Sequence, residues 1–594
     1  MSRRTPPREM TPARPDHIKD RAYIQIGGEG RWLLFREPVD VVEADSISGI
    51  LPALRRIEKL VEGSRLHAAG FISYEAAPAF DSSYQTKAAD YFPLLRFGIY
   101  DRRREIFLPP SVAKAHPLSW SPSITAGDYR KAIDRIKEHI ARGDTYQVNF
   151  TFRLTAPFTG NGWELFLQMT GAQGGGYGAF IDAGRYTICS ASPELFFRLN
   201  GRHVLSRPMK GTAARGRTLA EDSARAEWLR RSEKNRAENL MIVDMIRNDL
   251  GRVALTGSVR ADDLFRIEQY RTVFQMTSTV EAHSDAPFSA IMAALFPCAS
   301  VTGAPKTRTM SIIAELEKNP RRVYTGCIGF LSPGRRAQFN VAIRTVLIDR
   351  ERGSAEYGVG GGIVWDSTAD DEYRECRIKA RFLTEDRPDF SLLETILWTP
   401  EDGYFLLREH LERLRESALY FGFPVTIASV RRLLIARARN RPRQRYRVRL
   451  LVNRDGAIAC EETIQPEAPA KQAVTLKLAP SPVDSRNPFL YHKTTHRGLY
   501  EAAQAGCPGC DDVLLWNERG EITESTVANV VLERNGELVT PPVSSGLLAG
   551  TFRGRLIRRG EIREEVISAA KITASSRIYL VNSVRKWMRC RVLT

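Results

Sequence analysis

The chain has 594 residues, 43% hydrophobic and 26% charged, and its 87 Lys and Arg against 69 Asp and Glu leave a formal net charge of +18. That length predicts several domains, and the composition excludes a disordered chain, a collagen and a coiled coil. No uncharged apolar run reaches the roughly 18 residues a membrane-spanning helix needs, so no membrane span is expected.

In chain order, residues 1–21 are basic and proline-rich, lack the apolar stretch of a secretion signal, and read as a frayed tail. From about 22 to 101, strand-like runs alternate with turns: AYIQIG, RWLLF, GFISYEA and LLRFGIY. Ala126 to Arg142 carries Tyr129, Ile133, Ile136 and Ile140 at helical spacing, which predicts an amphipathic helix. YQVNFTFRL and YTICSASPELFFRL alternate like strands, and residues 221–249 predict one long charged helix. Further strands end in the glycine-dense YGVGGGIVWD, and a helical stretch from Asp370 to Leu383 closes this part. Residues 384–390, TEDRPDF, read as a linker, and strand, turn, strand and amphipathic helix then start afresh. The main boundary is therefore expected near residue 385, between parts at 22–384 (with a subregion at about 22–120) and 391–594.

Most arginines are scattered, so the positive charge reads as solubility and a bias towards anionic small substrates, with no nucleic acid expected as a partner. The dense run Arg437 to Arg449 has an arginine at every second position and ends in VRLLV, so it reads as the wet face of a strand. The eight cysteines are dispersed, which fits a reducing cytoplasm and not a disulfide framework. Cys507-Pro-Gly-Cys510 has no second CxxC or His pair to complete a zinc site and reads as a structural turn.

Four clusters in the first part carry chemistry. Lys210 lies in Arg207-Pro-Met-Lys-Gly-Thr212, where the backbone holds the amine in place and the glycine admits a ligand. Glu194 ends Ser190-Ala-Ser-Pro-Glu194 before the apolar LFF, a setting that raises a carboxyl pKa and suits proton transfer. Glu238 adjoins the apolar face of a helix, where a charge needs a partner. Gly360-Gly-Gly, with amides open to an anion, precedes Glu372, Glu375 and Lys379, which share one helical face. Glu238, Glu372 and Glu375 together offer the hard oxygens that Mg2+ takes. Taken singly, each cluster has an ordinary reading: a loop lysine, a turn glutamate, a helix-edge acid and an i,i+4 Glu375–Lys379 ion pair.

The ordered set resembles the chorismate-utilising enzymes over nearly all of 20–384, the synthase components for anthranilate, aminodeoxychorismate and isochorismate. Gly143-Asp-Thr-Tyr-Gln-Val-Asn149, Phe296-Pro-Cys-Ala-Ser-Val-Thr-Gly-Ala-Pro-Lys306, Tyr324-Thr-Gly-Cys-Ile-Gly329 and Ala342-Ile-Arg-Thr345 extend the likeness. Cys298-Ala299 departs from it, since the family more often has Gly-Gly there. A lysine at position 210 is similar to the aminodeoxychorismate type, because the anthranilate type usually carries alanine. The resemblance implies Mg2+ on Glu238, Glu372 and Glu375, Lys210 as a nucleophile whose amine must be neutral, and Glu194 as the proton-transfer group. It implies Thr302, Gly303, Arg344, Gly361, Gly362 and Lys379 as the seat of the substrate carboxylates. No Gly-x-Cys-x-Gly turn surrounds any cysteine, so the ammonia is expected from a separate glutamine amidotransferase subunit or from solution.

In the second part, Arg413 lies on an amphipathic helix and could meet a phosphate. Lys493 sits among aromatic and apolar residues, which lower an amine pKa and favour Schiff-base chemistry. Glu521-Ile-Thr-Glu524 precedes a glycine turn, Ser545 to Thr551, that opens a helix and could seat a phosphate. A surface arginine, a snorkelling lysine and a helix cap are the ordinary readings. In order and spacing, residues 391–594 resemble the fold-type IV pyridoxal-phosphate enzymes, the branched-chain and D-amino-acid aminotransferases and aminodeoxychorismate lyase. That likeness implies Lys493 as the covalent anchor of pyridoxal phosphate, Glu524 at its ring nitrogen, and Arg413, Gly550 and Thr551 at its phosphate.

The expected fold is α/β (α+β): a large two-sheet unit with outer helices, then a two-subdomain unit of fold-type IV. Joined, the two resemblances imply conversion of chorismate and ammonia into 4-aminobenzoate and pyruvate, a folate precursor step, by a homodimer. The rival readings are an anthranilate-type synthase fused to an aminotransferase, and a non-catalytic basic scaffold.

Overall fold

The computed structural model describes residues 20–27, 30–109, 118–381, 388–439, 442–466 and 473–593. Residues 1–19 of the expected tail and 384–387 of the expected linker lie outside them; Arg21 already belongs to the strand Arg21–Ile26. The chain divides into two compact units. The second takes the residues after 386 and also Arg215–Arg225, an excursion out of the first.

The first unit is built on two ten-stranded sheets. In one, Gly303–Ala304 forms an edge, followed by Gln147–Pro157, Ser354–Ile363, Thr345–Asp349 and Tyr186–Ser190. In the other, Met209–Ala214 forms an edge, followed by Val273–His283, His203–Arg207, Leu195–Asn200 and Arg336–Val341. The neighbours named here all pair antiparallel. Ile24, Phe35, Ile188 and Leu347 of the first sheet meet Phe71, Ile328 and Phe330 of the second in a shared core. The first sheet's opposite face is packed by Ala126–Ala141, Gly162–Gln173, Lys306–Leu316 and Ala369–Arg381. The second sheet's is packed by Ile47–Gly63, Glu233–Gly251 and Phe288–Leu295. Each sheet thus buries both faces, which is why strands such as Cys327–Ser332 are buried at every residue.

Two chain crossings between the sheets set up the site. The chain leaves the first sheet at Ser190 and enters the second at Leu195; it returns from Val341 to Thr345. The crossings bond to each other, Ala191 N–H to the Arg344 carbonyl at 3.0 Å and Val341 N–H to the Glu194 carbonyl at 3.1 Å.

Two expectations need correction. The region from 22 to 101 holds a helix, Ile47–Gly63, whose buried Ile50, Ala53, Leu54, Ile57 and Val61 follow the helical period. The single helix expected at 221–249 is two, Leu219–Arg231 and Glu233–Gly251. Ser232 breaks it with extended backbone, and its hydroxyl accepts the Asn235 N–H as an N-cap.

In the second unit, Gly403–Tyr404, Leu392–Thr399, Tyr446–Val452 and Ile458–Ile464 form a four-stranded sheet. The helices Leu407–Phe421 and Ile427–Arg439 cover it through Leu414, Ala418, Val430 and Leu434. An eight-stranded sheet follows, in which Ile522–Ser525 pairs with both Asp512–Trp516 and Asn529–Arg534. The arginine run is not one strand: Arg437 and Arg439 end a helix, whereas Arg447 and Arg449 belong to Tyr446–Val452. At Cys507-Pro-Gly-Cys510 the Cys510 thiol donates to the Cys507 carbonyl at 3.1 Å, closing a turn. No helix among the described residues is long and apolar enough to cross a membrane.

Two candidate active sites

Lys210 stands on the edge strand Met209–Ala214, and Asn239 donates to its carbonyl at 3.4 Å while accepting from Ser278 at 2.5 Å. Its amine reaches the glycine strand of the other sheet. A Cβ added at Gly362 would lie 2.6 Å from Lys210 Nζ and would also strike Gln147 Nε2. Burial lowers the Lys210 pKa, and Lys379 adds to this, while Glu238, Glu194 and Glu375 oppose it. Burial thus favours the neutral form of this amine.

Glu194, 3% exposed, sits where the chain crosses between the sheets. Burial pushes its carboxyl up to about 7, against a hydrogen bond from Ser300 and the charge of Lys210. Its Oε1 has no protein partner. A carboxyl with a near-neutral pKa and a free oxygen can give or take a proton at physiological pH.

The helix Ala369–Arg381 brings its acids to the same glycines. A Cβ at Gly361 would lie 2.9 Å from Glu372 Oε2 and 3.9 Å from Lys379 Nζ. Ser367 donates to Glu372 at 2.7 Å, and Lys379 donates to the Gly360 carbonyl at 2.9 Å. Glu375 pairs with Lys379 at 2.8 Å, so the ion pair anticipated from the spacing is present. Lys379 draws the Glu375 pKa down, whereas burial raises that of Glu372. Among the described residues, no three acidic, His or Cys side chains gather closely enough to hold a metal ion on their own. Glu238, Glu372 and Glu375, the expected Mg2+ ligands, are thus not gathered into a metal-holding group by the protein alone.

The remaining predicted residues are shaped by backbone. Thr302 is fully buried, and its hydroxyl donates to the carbonyls of Cys298 and Ala299 at 3.1 and 3.2 Å, so its side chain is engaged within the turn. Gly303 has φ +151°, and a Cβ there would strike the Gln147 carbonyl and lie 2.6 Å from Thr309, so only glycine fits. Arg344, with φ +50°, donates to Gln173 Oε1, and burial lowers its pKa. Gln147, Asn239 and Ser300 were missed as individual residues. Gln147 and Ser300 lie inside quoted family stretches, and Asn239 directly follows Glu238 in the cluster that runs to Asp249.

The second site is a cavity of about 370 Å³ lined by Lys493, Glu524, Arg413, Gly550, Thr551 and Asn529. Burial and the charge of Arg413 lower the Lys493 pKa to about 8. Glu524, 4% exposed, accepts from Tyr500 at 2.8 Å and from the Leu548 N–H at 3.3 Å, and burial pushes its pKa up to about 7. Thr551 begins the helix Thr551–Arg558, capped by Gly550, where a Cβ would collide with Asn529 Oδ1. Thr551 Oγ1 lies 3.3 Å from His410 Nε2; His410 Nδ1 in turn lies 2.6 Å from Glu394, which Arg413 grips at 2.7 Å. Arg413 therefore lines the cavity as part of a buried Glu394 cluster. Arg447, Arg449 and Arg497 add positive charge to the lining.

The family described as chorismate binding enzyme matches residues 19–385. The chain belongs to that family. The family described as amino-transferase class IV matches residues 391–593 and implies pyridoxal phosphate. An "Aminodeoxychorismate synthase" of Streptomyces griseus is 44% identical over 257 residues, 42% of this chain and 35% of that protein. An "Aminodeoxychorismate synthase component 1" of Klebsiella aerogenes is 35% identical over 336 residues, 52% of this chain and 74% of that protein. The chain thus spans about a third of the first relative's length and about three quarters of the second's. Anthranilate synthase component I from Streptococcus pneumoniae has a similar fold, with TM-score 0.53 and 24% identity over 64% of this chain and 96% of that one. The cavity suits pyridoxal phosphate: its lining includes a buried amine of reduced basicity, a buried carboxyl and a glycine-capped helix start.

Proposed function

We propose that this chain carries out both steps from chorismate to 4-aminobenzoate. One observation carries the reading: a single chain holds two buried lysines of lowered basicity, one among carboxylates and glycines, the other in a cavity that a buried glutamate also lines. In the first step, neutral Lys210 attacks the chorismate ring at C2 as the C4 hydroxyl leaves. Ammonia then adds at C4 and expels the lysine. Glu194 moves the proton that the hydroxyl and amine exchange. Lys379, Arg344 and the Gly361–Gly362 backbone seat the carboxylates. Mg2+, held by Glu238, Glu372 and Glu375, would neutralise the ring carboxylate. A relative named component 1 supports ammonia delivery by a separate glutaminase subunit.

In the second step, pyridoxal phosphate supplies, when bound, an electron sink beside the carbon that bears the new amine. Lys493 would anchor it and, once the substrate amine has taken its place, would remove the proton from that carbon. Glu524 holds charge at the ring nitrogen, and Arg413, Gly550 and Thr551 hold the phosphate. The ring becomes aromatic as its C–O bond to the enolpyruvyl group breaks, and the released enolpyruvate takes up a proton to become pyruvate. Arg447, Arg449 and Arg497 suit a substrate with two carboxylates. The alternative use of this half, amino transfer, is separated by product and not by geometry.

The test is one incubation of purified protein with chorismate, Mg2+, pyridoxal phosphate and ammonium, with products identified by chromatography and mass. 4-Aminobenzoate with pyruvate is expected. Accumulated aminodeoxychorismate would remove the lyase step; 2-aminobenzoate would remove the assignment of Lys210. Lys210→Ala should slow amination at least about a thousandfold. Lys493→Ala should abolish the visible absorbance of lysine-bound cofactor, and intermediate should accumulate.

A further inference from the structure

Within the second unit, Lys493 is held from two directions. Its carbonyl accepts the Leu393 N–H at 3.0 Å, which ties it to the strand Leu392–Thr399. The preceding residue, His492, is 6% exposed and fixed at both ring nitrogens. Its Nε2 lies 3.1 Å from the carbonyl oxygen of Arg217, and its Nδ1 lies 2.9 Å from Ser417 Oγ. A carbonyl only accepts, so Nε2 carries the hydrogen, and Nδ1 accepts from the Ser417 hydroxyl. The ring stacks on Tyr420 at 4.3 Å and meets Phe421 edge-on at 4.8 Å. Burial lowers the His492 pKa to about 4, so the imidazole stays neutral at physiological pH.

The Arg217 carbonyl comes from Arg215–Arg225, which directly follows the strand carrying Lys210 yet belongs to the second unit. This segment is built, not draped. Arg215 pairs with Asp222 at 2.5 Å, their side chains 8% and 4% exposed, and donates to the Tyr420 carbonyl at 2.7 Å. Tyr420 Oη donates to the Gly216 carbonyl at 2.7 Å, and Arg217 donates to Tyr491 Oη at 2.9 Å. A Cβ at Gly216 would lie 2.5 Å from Glu221 Cβ and 2.6 Å from Asp222 N, so the fold of the segment requires glycine. A buried ion pair is costly unless its surroundings satisfy it fully, and this one is satisfied by the surface it docks on.

We propose that Arg215–Arg225 is a positioning segment for Lys493, acting through the Arg217 carbonyl and the His492 imidazole. The proposal rests on the reading of Lys493 as the cofactor's anchor. The segment touches no reacting atom; it fixes the peptide from which the lysine projects. Arg413, Glu394, Arg497 and Glu524 set the charge around that amine, and the segment sets where the amine stands among them. The second reaction thus depends on eleven residues encoded inside the first half of the sequence.

The test uses the full-length holoenzyme and follows the visible absorbance of bound pyridoxal phosphate against pH. His492→Phe keeps the ring and loses both hydrogen bonds; Ser417→Ala loses one; Gly216→Ala strains the segment nearly 280 residues before Lys493. Each should shift the apparent pKa of the chromophore in the same direction, His492→Phe by about one unit, and weaken cofactor binding about tenfold. His492→Asn, which can still donate to the Arg217 carbonyl, should recover part of the shift. Amination of chorismate should be unchanged in His492→Phe and Ser417→Ala. Wild-type pH profiles in His492→Phe and Ser417→Ala overturn the proposal, as does a shift in His492→Phe with none in Gly216→Ala. If His492→Phe does not fold, the other two variants decide it. Lys493→Ala separates the two claims: visible absorbance surviving there removes the anchor reading itself.

Discussion

Glu524 has two settings pulling on one carboxyl. Burial lifts its pKa to about 7, although Tyr500 and the Leu548 amide both favour the charged form. A carboxyl whose folded pKa exceeds its unfolded value contributes stability that is complete below the unfolded value and is lost as pH rises through the folded one. For Glu524 that window runs from its ordinary 4.5 to about 7 and is worth about 3 kcal/mol. Lys493 acts in a separate window with the opposite slope: its pKa is lowered to about 8, so its contribution is complete above the ordinary 10.5 and is lost as pH falls through 8. Protein stripped of cofactor should therefore lose melting temperature between pH 5 and 7.5, and Glu524→Gln should reduce that loss by its share, leaving the part due to Glu194 and Glu75, which burial lifts to about 7 as well. Parallel melting curves for the two proteins would show that this carboxyl does not titrate there. Bound pyridoxal phosphate should flatten the wild-type curve too, because a protonated ring nitrogen would compensate the charge.

At the level of elements, the first site depends on two strands from different sheets meeting at Lys210 and Gly362. Gly362→Ala tests that approach. The new methyl would press on Lys210 Nζ and the Gln147 side-chain amide, both ends of flexible side chains. The protein should fold with a melting temperature within a few degrees of wild type while amination falls about a hundredfold, read from chorismate consumption with ammonium. Unchanged amination would mean that the amine is free to stand elsewhere. This meeting is only half legible in the sequence. Lys210, Glu194, Glu238 and the glycine run each have an ordinary reading when taken singly, and it is their order along the chain that marks them. That Glu194 and Arg344 lie on two chain crossings bonded to each other is a property of sheet order, which no local pattern encodes. The helix Ile47–Gly63 was readable from Ile50, Leu54, Ile57 and Val61, but the strand-like runs on either side obscured it. The break at Ser232 needed only its capping side chain.

At the level of the whole molecule, the two units have separate cores. Ile57 is fully buried in the first and Leu514 in the second. Truncating either to alanine should cost about 2–5 kcal/mol. Scanning calorimetry should show Ile57→Ala lowering one transition and Leu514→Ala the other; a single transition lowered equally by both would mean that the units unfold together. A polar, proline-bearing stretch between two fresh runs of predicted structure is what suggests a boundary near 385. Arg215–Arg225 was not visible as part of the second unit, because its partners Tyr420, Tyr491 and His492 lie about 200 to 280 residues away. Charged residues in a loop carry no record of what they dock against.

The discontinuity of the second unit bears on the order in which a growing chain can be finished. Arg215–Arg225 leaves the ribosome long before the surface that receives it. At about 5–20 residues per second, the roughly 270 residues from Arg225 to His492 take about 13–54 s to synthesise. Through that interval Arg215 and Asp222 lack Tyr420, and the strand ending at Ala214 must take its place in its sheet with this segment still undocked. The nascent first half therefore has to close around a strap left outside, and translation itself sets how long that strap waits.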